Sequence, residues 1–218
     1  MRISSLPPSR RVWIFDLDNT LHDARLHIFP SMHVQINRYL QRHYGVDEAG
    51  ADAMRDGFWR RYGTTLDGLM RHHGEHPRRF LRETHAFPEL GDMVRHENAL
   101  HHALARLGGL KLVLSNAPRH YVERVLAILG IGRFFDAVYT IEDARYRGKP
   151  AVQGFHRLLR RHKIDAHRCA FVDDLLENLR TAHRLGMSTV WVSPTAQRVP
   201  YVDLRIASVT ELPRRIRN

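Results

Sequence analysis

The chain alternates short apolar runs with segments in which apolar residues recur every three or four positions. The short runs are rich in β-branched and aromatic residues, which is typical of buried parallel strands. The spaced segments predict amphipathic helices, such as the one that carries Val122, Val125, Leu126 and Leu129 and ends at Gly130. The predicted strands cover residues 11–16, 110–115, 136–141, 168–173 and 188–193, and a second helix carries Leu175, Leu179, Ala182 and Leu185 and ends at Gly186.

This alternation of strand and helix favours right-handed crossover connections and a Rossmann-like α/β fold with a doubly wound parallel sheet. Ligands of such sheets bind beyond the carboxyl ends of the strands, so function is expected there. The tail, residues 201–218, predicts one further edge strand and a short basic helix.

No strand pattern occurs between residues 21 and 95. Helix-like patterns cover 34–44, 49–62, 65–73 and 77–85, with glycines between the first three and after the third. A strand-free insertion of this length predicts an α-helical cap above the active edge of the sheet. We therefore predict an α/β core of residues 1–21 and 96–218, and a helical cap insertion of residues 22–95.

Composition narrows the class of protein. Of the 218 residues, 43% are hydrophobic and 26% are charged, which is typical of globular chains and argues against disordered or collagen-like ones. No apolar run is long enough to span a membrane, and the first residues lack the apolar segment of a signal peptide, so a cytoplasmic location is predicted. Cys169 is the single cysteine, which excludes disulfide-stapled folds and Cys-rich zinc sites.

The chain is strongly basic, with 34 Lys and Arg against 23 Asp and Glu and a net charge of +11. Most of these residues are arginines, scattered in pairs rather than concentrated in one tract. A nucleic-acid face usually concentrates its charge on one helix or arm, so solvated surface is the favoured interpretation. The charge also favours an anionic small molecule as the partner.

Polar residues follow four of the predicted strands. Alone, each motif has a structural interpretation as a turn, a helix cap or a partner of a helix dipole. Side chains two apart on a strand share a face, so both acids after the first strand can point into one site. Their joint occurrence at strand ends, in order, predicts a catalytic site. These residues are Asp16 and Asp18, Ser115 and Asn116, Lys149, and Asp173 and Asp174.

The order DLDNT, SN, GKP and VDD resembles the haloacid dehalogenase superfamily, and the match spans the core from Val12 to about Val192. Asp18 resembles the phosphatase branch, since members that attack carbon–halogen bonds lack an acid there. The stretches IFDLDNTLHDA, YGTTLDGLMRHHG, SNAPRHYVERVLAILGI and VYTIED resemble pyrimidine 5′-nucleotidases of subfamily I, which has a helical cap. The resemblance implies a phosphatase acting on a nucleotide.

The resemblance also implies a role for each site residue. Asp16 would be the nucleophile, ionised at neutral pH by the ordinary pKa of aspartate, and would form an aspartyl-phosphate intermediate. Asp18 would protonate the leaving alkoxide and then activate the hydrolytic water. Ser115 and the backbone N–H groups around Asn116 would hold phosphoryl oxygens, while Lys149 would neutralise charge on them.

Mg²⁺ is the implied cofactor. Asp16, the backbone carbonyl of Asp18, and Asp174 would hold the ion, with Asp173 bound directly or through water. Four acids against a single lysine leave the site negative, which argues that the metal is required. Asn178 stands where many relatives carry an acid; it can still hydrogen-bond and orient the lysine, and its role is left open.

The predicted cap supplies the candidates for contact with the base and sugar, namely Tyr62, Arg71, His72 and His73. Adjacent histidines on a helix point to different faces, so one of them can equally be solvent-facing or part of a core. Tyr62 could stack on a base, or it could simply pack beside Trp59.

The predicted function is Mg²⁺-dependent hydrolysis of a phosphomonoester, with a pyrimidine nucleoside 5′-monophosphate as the preferred substrate. One alternative is a phosphatase for a sugar phosphate or phosphoglycolate, or a phosphosugar mutase. Another is a basic nucleic-acid-binding or regulatory protein on an inactive core, against which the intact acidic residues argue. The expected partner is a small phosphorylated metabolite, with neither a membrane nor a nucleic acid, and the oligomeric state is left open.

Overall fold

Six parallel strands form one sheet in the order β3-β2-β1-β4-β5-β6, as the predicted α/β fold requires. The computed structural model describes residue 5, residues 7–95 and residues 97–216. All five predicted strands are present, and the tail adds the sixth at the edge. The strands are β1 Val12–Phe15, β2 Leu110–Leu114, β3 Ala137–Tyr139, β4 Cys169–Asp173, β5 Ser188–Val192 and β6 Leu204–Ile206.

The first strand lies in the middle of the sheet, with Val12 paired to Leu110 on one side and to Cys169 on the other. Alternate residues of β1 belong to different apolar clusters, because successive side chains of a strand point to opposite faces. Trp13 and Phe15 contribute to one cluster, and Val12 and Ile14 to the other. Both faces of the sheet are therefore covered, as the continuous apolar runs of the sequence predict.

The helices after residue 89 pack on the sheet, and those that lie between successive strands connect them. The first of these helices falls within the predicted insertion of residues 22–95, yet its Leu90 belongs to an apolar cluster of the sheet. Leu175, predicted as the first apolar position of a helix, precedes that helix as its cap and is 41% exposed. Residues 217–218, which end the predicted basic tail, lie outside the described part of the chain. These helices are α5 Leu90–Met93, α6 Asn98–Arg106, α7 Arg119–Ile128, α8 Val152–His162, α9 Leu176–Arg184 and α10 Leu212–Arg215.

Four helices fill the long insertion between β1 and β2, close to the predicted positions. The first three are each followed by a glycine with a positive φ, a conformation that glycine adopts without strain and that ends a helix. The first helix begins six residues before its apolar pattern does, since Pro30 in its first turn is compatible with a helix. These helices are α1 Ile28–Tyr44, α2 Glu48–Tyr62, α3 Thr65–His73 and α4 Pro77–Thr84.

The insertion has an apolar cluster of its own, built around Tyr39, Leu40, Leu69 and Phe80. Ile141, from the segment after β3, also packs into this cluster, so the insertion lies against that loop of the sheet. Within the described residues, no helix has both the length and the apolar character needed to cross a bilayer.

Candidate functional site

The predicted acids meet at the carboxyl end of the central strands. Asp16 directly follows β1, and its backbone N–H donates to Val172 in β4 at 2.9 Å, which brings it beside Asp173. One carboxylate oxygen from each of Asp16, Asp173 and Asp174 lies within 4.8 Å of the others. Parallel pairing thus joins residues that are far apart in sequence into one acidic cluster.

Lys149 lies against this cluster as its buried cation. Its Nζ is 2.7 Å from an oxygen of Asp16 and 2.8 Å from an oxygen of Asp173. Burial by itself lowers the pKa of the lysine, but the two carboxylates outweigh that effect and hold the pKa above its usual value. Lys149 therefore stays charged and fixes the position of the Asp16 carboxylate.

The pKa of Asp16 differs from the ordinary value expected from the sequence. Burial raises it well above that value, and the charges of Asp173 and Asp174 raise it further, while Lys149 opposes them. Desolvation disfavours the ionised form of a buried carboxyl, a cost that composition and spacing do not reveal. A cation at the cluster favours the ionised carboxylate that nucleophilic attack requires.

Asp174 is the third member of the cluster. Its carboxylate accepts a hydrogen bond from Asn19 Nδ2 at 3.3 Å, and Asn19 holds a positive φ of 61°. Burial, together with the charge of Asp173, raises the pKa of Asp174 to about 6. Its protonation therefore competes with cation binding in mildly acidic solution.

Asn178 hydrogen-bonds Asp173. The sequence had suggested that it could orient Lys149 instead. Its Nδ2 lies 3.0 Å from both carboxylate oxygens of Asp173, and the backbone N–H of Leu175 donates to one of them at 2.8 Å. The amide is 2% exposed, so these bonds are sheltered from water. Asn178 acts on Lys149 through Asp173, whose other contact is with that lysine.

Asp18 has a separate environment, although it stands only two residues after Asp16. Tyr121, on α7, donates its hydroxyl to Asp18 Oδ1 at 2.6 Å, and His22 Nε2 lies 2.9 Å from the same oxygen. Burial and the neighbouring Asp18 charge raise the pKa of Tyr121, so its hydroxyl remains protonated and can donate. Neither of these two partners of Asp18 was predicted from the sequence. His22 follows Asp18 by four residues, but Tyr121 reads as one apolar position of its helix.

Ser115 and Asn116 follow β2 and face the loop that carries the lysine. The side-chain amide of Asn116 donates to the carbonyl of Lys149 at 2.9 Å and accepts from its backbone N–H at 2.7 Å. A Cβ at Gly148 would lie 2.8 Å from Asn116 Oδ1, so glycine allows this close approach. Ser115 is 3% exposed, and its Oγ accepts from the N–H of Ala117 at 3.1 Å. Its hydroxyl hydrogen remains available to a ligand.

The donor set suits a hard divalent cation. Three carboxylates offer oxygen ligands, which Mg²⁺ prefers. One lysine balances only part of their charge, and two of the three acids have a raised pKa because of burial and mutual repulsion. The oxygens, the excess negative charge and the burial all fit a bound magnesium ion.

The four predicted cap residues contact one another and nearby helices. The hydroxyl of Tyr62 is 2.5 Å from His72 Nε2, and Arg71 stacks 5.1 Å above the Tyr62 ring. His72 also stacks on Phe58, whereas His73 packs against Tyr44. Both histidines contact Phe58, but only His72 also contacts Tyr62, and only His73 also contacts Tyr44. Tyr62 itself contacts Phe58 and His72.

One ion pair ties the insertion to the lysine loop. Asp67 on α3 is buried, and one of its oxygens accepts from Arg71 at 3.0 Å and from Arg147 at 2.9 Å. Arg147 stands two residues before Lys149. Gly63 also lies against Pro150, at a distance that leaves little room for a side chain. The α2–α3 turn and α3 thus form one wall around the loop.

Comparison with known proteins agrees with this arrangement. Residues 11–186 match the family described as haloacid dehalogenase-like hydrolase. Phosphate metabolism protein 8 of Saccharomyces cerevisiae is 23% identical over 200 residues, which cover 84% of this chain and 61% of that protein. The chain therefore spans about three fifths of the yeast relative's length.

Solved structures share the fold at low sequence identity. A haloacid dehalogenase phosphatase from Thermococcus onnurineus has a TM-score of 0.68 and 19% identity, covering 94% of this chain and 97% of its own. A related hydrolase from Bacillus subtilis, solved with magnesium, has a TM-score of 0.63 and 18% identity, covering 96% and 100%. L-2-haloacid dehalogenases also match, so the fold alone does not separate the two chemistries.

Proposed function

This chain belongs to the haloacid dehalogenase-like hydrolase family, and we propose that it is a Mg²⁺-dependent phosphomonoester hydrolase. The observation that carries the proposal is that the two acids after β1, Asp16 and Asp18, have different partners. Asp16 lies between Lys149 and the acidic cluster, whereas Asp18 is held apart by Tyr121 and His22. Two carboxylates in different environments suit the two different roles of nucleophile and acid–base catalyst.

The reaction proceeds in two displacements. A carboxylate oxygen of Asp16 attacks phosphorus, the ester P–O bond breaks, and Asp18 gives its proton to the leaving alkoxide. Asp18 then takes a proton from water as the water oxygen attacks the phosphorus of the aspartyl-phosphate. The bond between phosphorus and Asp16 breaks, which releases inorganic phosphate and restores both acids to their starting protonation states.

The surrounding groups stabilise charge on the phosphoryl oxygens. Ser115 and the backbone N–H groups near Asn116 donate to them, and Lys149 offers a buried positive charge. Asp16, Asp173, Asp174 and the carbonyl of Asp18 would hold Mg²⁺, which supplies neutralisation of phosphate charge at the nucleophile. The magnesium bound to the Bacillus subtilis relative supports this choice of ion.

Residues 22–95 act as the cap that selects the leaving group. This assignment is supported by the separate apolar cluster of residues 36–81 and by the ion pair between Asp67 and Arg147. Near the ends of the insertion, Ile28, Leu90 and Val94 pack into a cluster of the sheet instead. Of the remaining predicted contacts, Tyr62, Arg71 and His72 contact one another on this insertion, whereas His73 packs against Tyr44 and Phe58. Contact of these four residues with substrate stays a prediction.

A pyrimidine nucleoside 5′-monophosphate is the first substrate to test. It is supported by the resemblance of the cap and loop stretches to pyrimidine 5′-nucleotidases and by the positive net charge, which attracts anions. The name of the yeast relative refers only to phosphate metabolism and does not choose between nucleotides and sugar phosphates. The cytoplasmic location likewise stays a prediction.

The test measures phosphate release with Mg²⁺ from UMP, CMP, dUMP, AMP, GMP, phosphoglycolate and glucose phosphates. Among the esters whose leaving group is uncharged, we expect hydrolysis to be highest with UMP or CMP. Activity should be lost in Asp16→Asn, which keeps the size of the side chain but removes the nucleophile. Asp92→Asn, an exposed acid on α5, controls for the loss of one negative charge. Release from sugar phosphates alone would discard the nucleotide assignment, and no release from any ester would contradict the hydrolase.

A further inference from the structure

A basic cleft lies between α4 of the insertion and the start of α7. Its volume is about 660 Å³, within the range of pockets that hold small organic ligands. Arg78 and Arg82 line it from α4, and Arg119 and Arg124 line it from α7. Glu142 is the one carboxylate among the described lining residues. The site proposal above uses none of these five side chains.

The positions along the two helices explain why the charges converge. Arg78 and Arg82 are four residues apart on α4 and therefore share one face of that helix. The opposite face carries Phe80, which is buried in the apolar cluster of the insertion. The arginines of the sequence are scattered, and only the packing of these two helices makes a local basic surface.

Much of this positive charge has no carboxylate partner. Arg78 Nε donates to the hydroxyl of Tyr146 at 3.3 Å, and Arg124 donates to the carbonyl of Phe87 at 3.0 Å. For Arg82, the described part of the chain offers neither a hydrogen bond nor an ion pair. Three guanidinium groups are thus available to an anion.

Three acids near the cleft interact with Arg119. Glu142 accepts two hydrogen bonds at 3.2 Å from the backbone N–H of Arg119, at the first residue of α7. Asp143 and Glu123 accept from the guanidinium of Arg119. Asp143 and Glu123 thus neutralise Arg119, while the charge of Glu142 also acts on Arg78. Within the described residues, Arg82 and Arg124 have no carboxylate partner.

The cleft adjoins the proposed acid–base residue. His85 lines the cleft and is buried, with its ring centroid 5.9 Å from that of Tyr121. Tyr121 in turn donates to Asp18. Asp18 is the residue proposed to protonate the leaving group, so the rings of His85 and Tyr121 connect the cleft to that residue.

We propose that this cleft binds a second anionic group, a phosphate or a carboxylate, on the leaving group of the phosphomonoester. This inference rests on the proposed hydrolase. Guanidinium groups pair with either anion through charge-assisted, bidentate hydrogen bonds, whereas a neutral nucleoside offers them no charge. The favoured substrates are therefore phosphomonoesters that carry a second anionic group, such as nucleoside bisphosphates, sugar bisphosphates or phosphorylated sugar acids.

The experiment compares substrates that differ in one group. UMP is set against uridine 3′,5′-bisphosphate, and glucose 6-phosphate is set against glucose 1,6-bisphosphate and 6-phosphogluconate, which carry a phosphate or a carboxylate at carbon 1. The product of each reaction is identified by chromatography, so that only release of the 5′- or 6-phosphate is counted. The glucose series then shows whether phosphate or carboxylate is preferred.

The expected result is a kcat/KM at least about tenfold higher for a substrate with a second anionic group than for its counterpart without that group. Arg82→Gln, at an exposed position that tolerates substitution, should lower that ratio about tenfold. Arg38→Gln removes the same charge from an exposed position on α1 and should leave the ratio unchanged.

Two outcomes would overturn the inference while the hydrolase stands. The first is equal turnover of esters with and without a second anionic group. The second is a preference for the second anionic group that Arg82→Gln and Arg78→Gln leave intact. Failure of every ester, including p-nitrophenyl phosphate, would instead refute the hydrolase and the leaving-group assignment with it.

Discussion

At the residue scale, Asp16 and Asp18 illustrate how two identical side chains acquire different chemistry. Asp16 has a lysine and two acids around it, and its pKa is raised mainly by burial. Asp18 instead accepts a hydrogen bond from a tyrosine on one oxygen, and Nε2 of a histidine that follows it by four residues lies 2.9 Å from the same oxygen. Proton transfer depends on holding the donor in one geometry, so these two partners position the acid–base group.

Tyr121→Phe tests this positioning. The change removes the hydroxyl that donates to Asp18 and keeps the ring, whose contacts with Phe87 and His85 hold it in the core. Hydrogen bonds to charged groups are worth about 1.5–3 kcal/mol, so we expect kcat/KM to fall about 10- to 100-fold. Steady-state kinetics with the best ester of the substrate panel provide the measurement.

Tyr139→Phe is the matched control for that variant. The Tyr139 hydroxyl is buried and has no hydrogen-bond partner within the described residues, so its removal should leave activity unchanged and keep or raise stability. Equal activity of Tyr121→Phe and the wild type would show that Asp18 does not need the tyrosine.

At the element scale, the site depends on loops that adjacent secondary structure holds in place. Asn116, after β2, binds both the backbone N–H and the backbone carbonyl of Lys149. Asp67, on α3, binds Arg147 in the same loop. The lysine is therefore positioned from the sheet and from the insertion at once.

Arg147→Gln tests the second of these attachments. The arginine is 41% exposed, so solvent screens the ion pair, and we expect a modest two- to fivefold loss of kcat/KM. Arg145→Gln removes the same charge from an exposed position of the same loop and should have no effect. Equal losses in the two variants would indicate that net charge, rather than attachment of the loop, is responsible.

The sequence predicted the elements better than the contacts between them. Apolar runs and glycine stops placed five strands and the helices of the insertion, since these signals are local. The order of the motifs also placed Asp16, Lys149 and Asp173 at one edge. Tyr121 and the basic cleft could not be found in this way, because they depend on how α7 packs against residues that lie far away in the chain.

At the scale of the whole molecule, a basic protein surrounds an acidic site. The net charge is +11, yet Asp16, Asp173 and Asp174 converge with one lysine. Without a cation these acids repel one another, and burial makes the repulsion more costly. The acids that metal binding requires therefore lower the stability of the folded protein when no cation is bound.

Adding or removing Mg²⁺ should therefore change both activity and thermal stability. We expect EDTA to abolish activity, and added Mg²⁺ to raise the wild-type Tm, because an ion that binds only the folded state stabilises it. Asp174→Asn removes one ligand and should lose both activity and the response to Mg²⁺, while Asp92→Asn should keep both. A full Mg²⁺ response in Asp174→Asn would contradict the assigned cluster.

The same variant has a signature in pH. The pKa of Asp174 is about 6 in the folded protein and near the ordinary aspartate value of 3.8 in the unfolded chain. Between these values the folded state binds more protons, so this group makes the metal-free protein less stable as pH rises from about 4 to about 6. In EDTA at pH 7.5, Asp174→Asn should therefore have a higher Tm than the wild type, measured by calorimetry.

The central position of β1 determines when the site can form during synthesis. The ribosome makes β1 early, but its neighbour β4 begins at Cys169, after every helix of the insertion has been made. The apolar cluster of the insertion is nearly complete by α4, whereas the nucleophile meets its acidic partners only when β4 has emerged. Nascent chains that end before β4 therefore lack a catalytic centre, and the exposed apolar edge of β1 makes them candidates for chaperone binding.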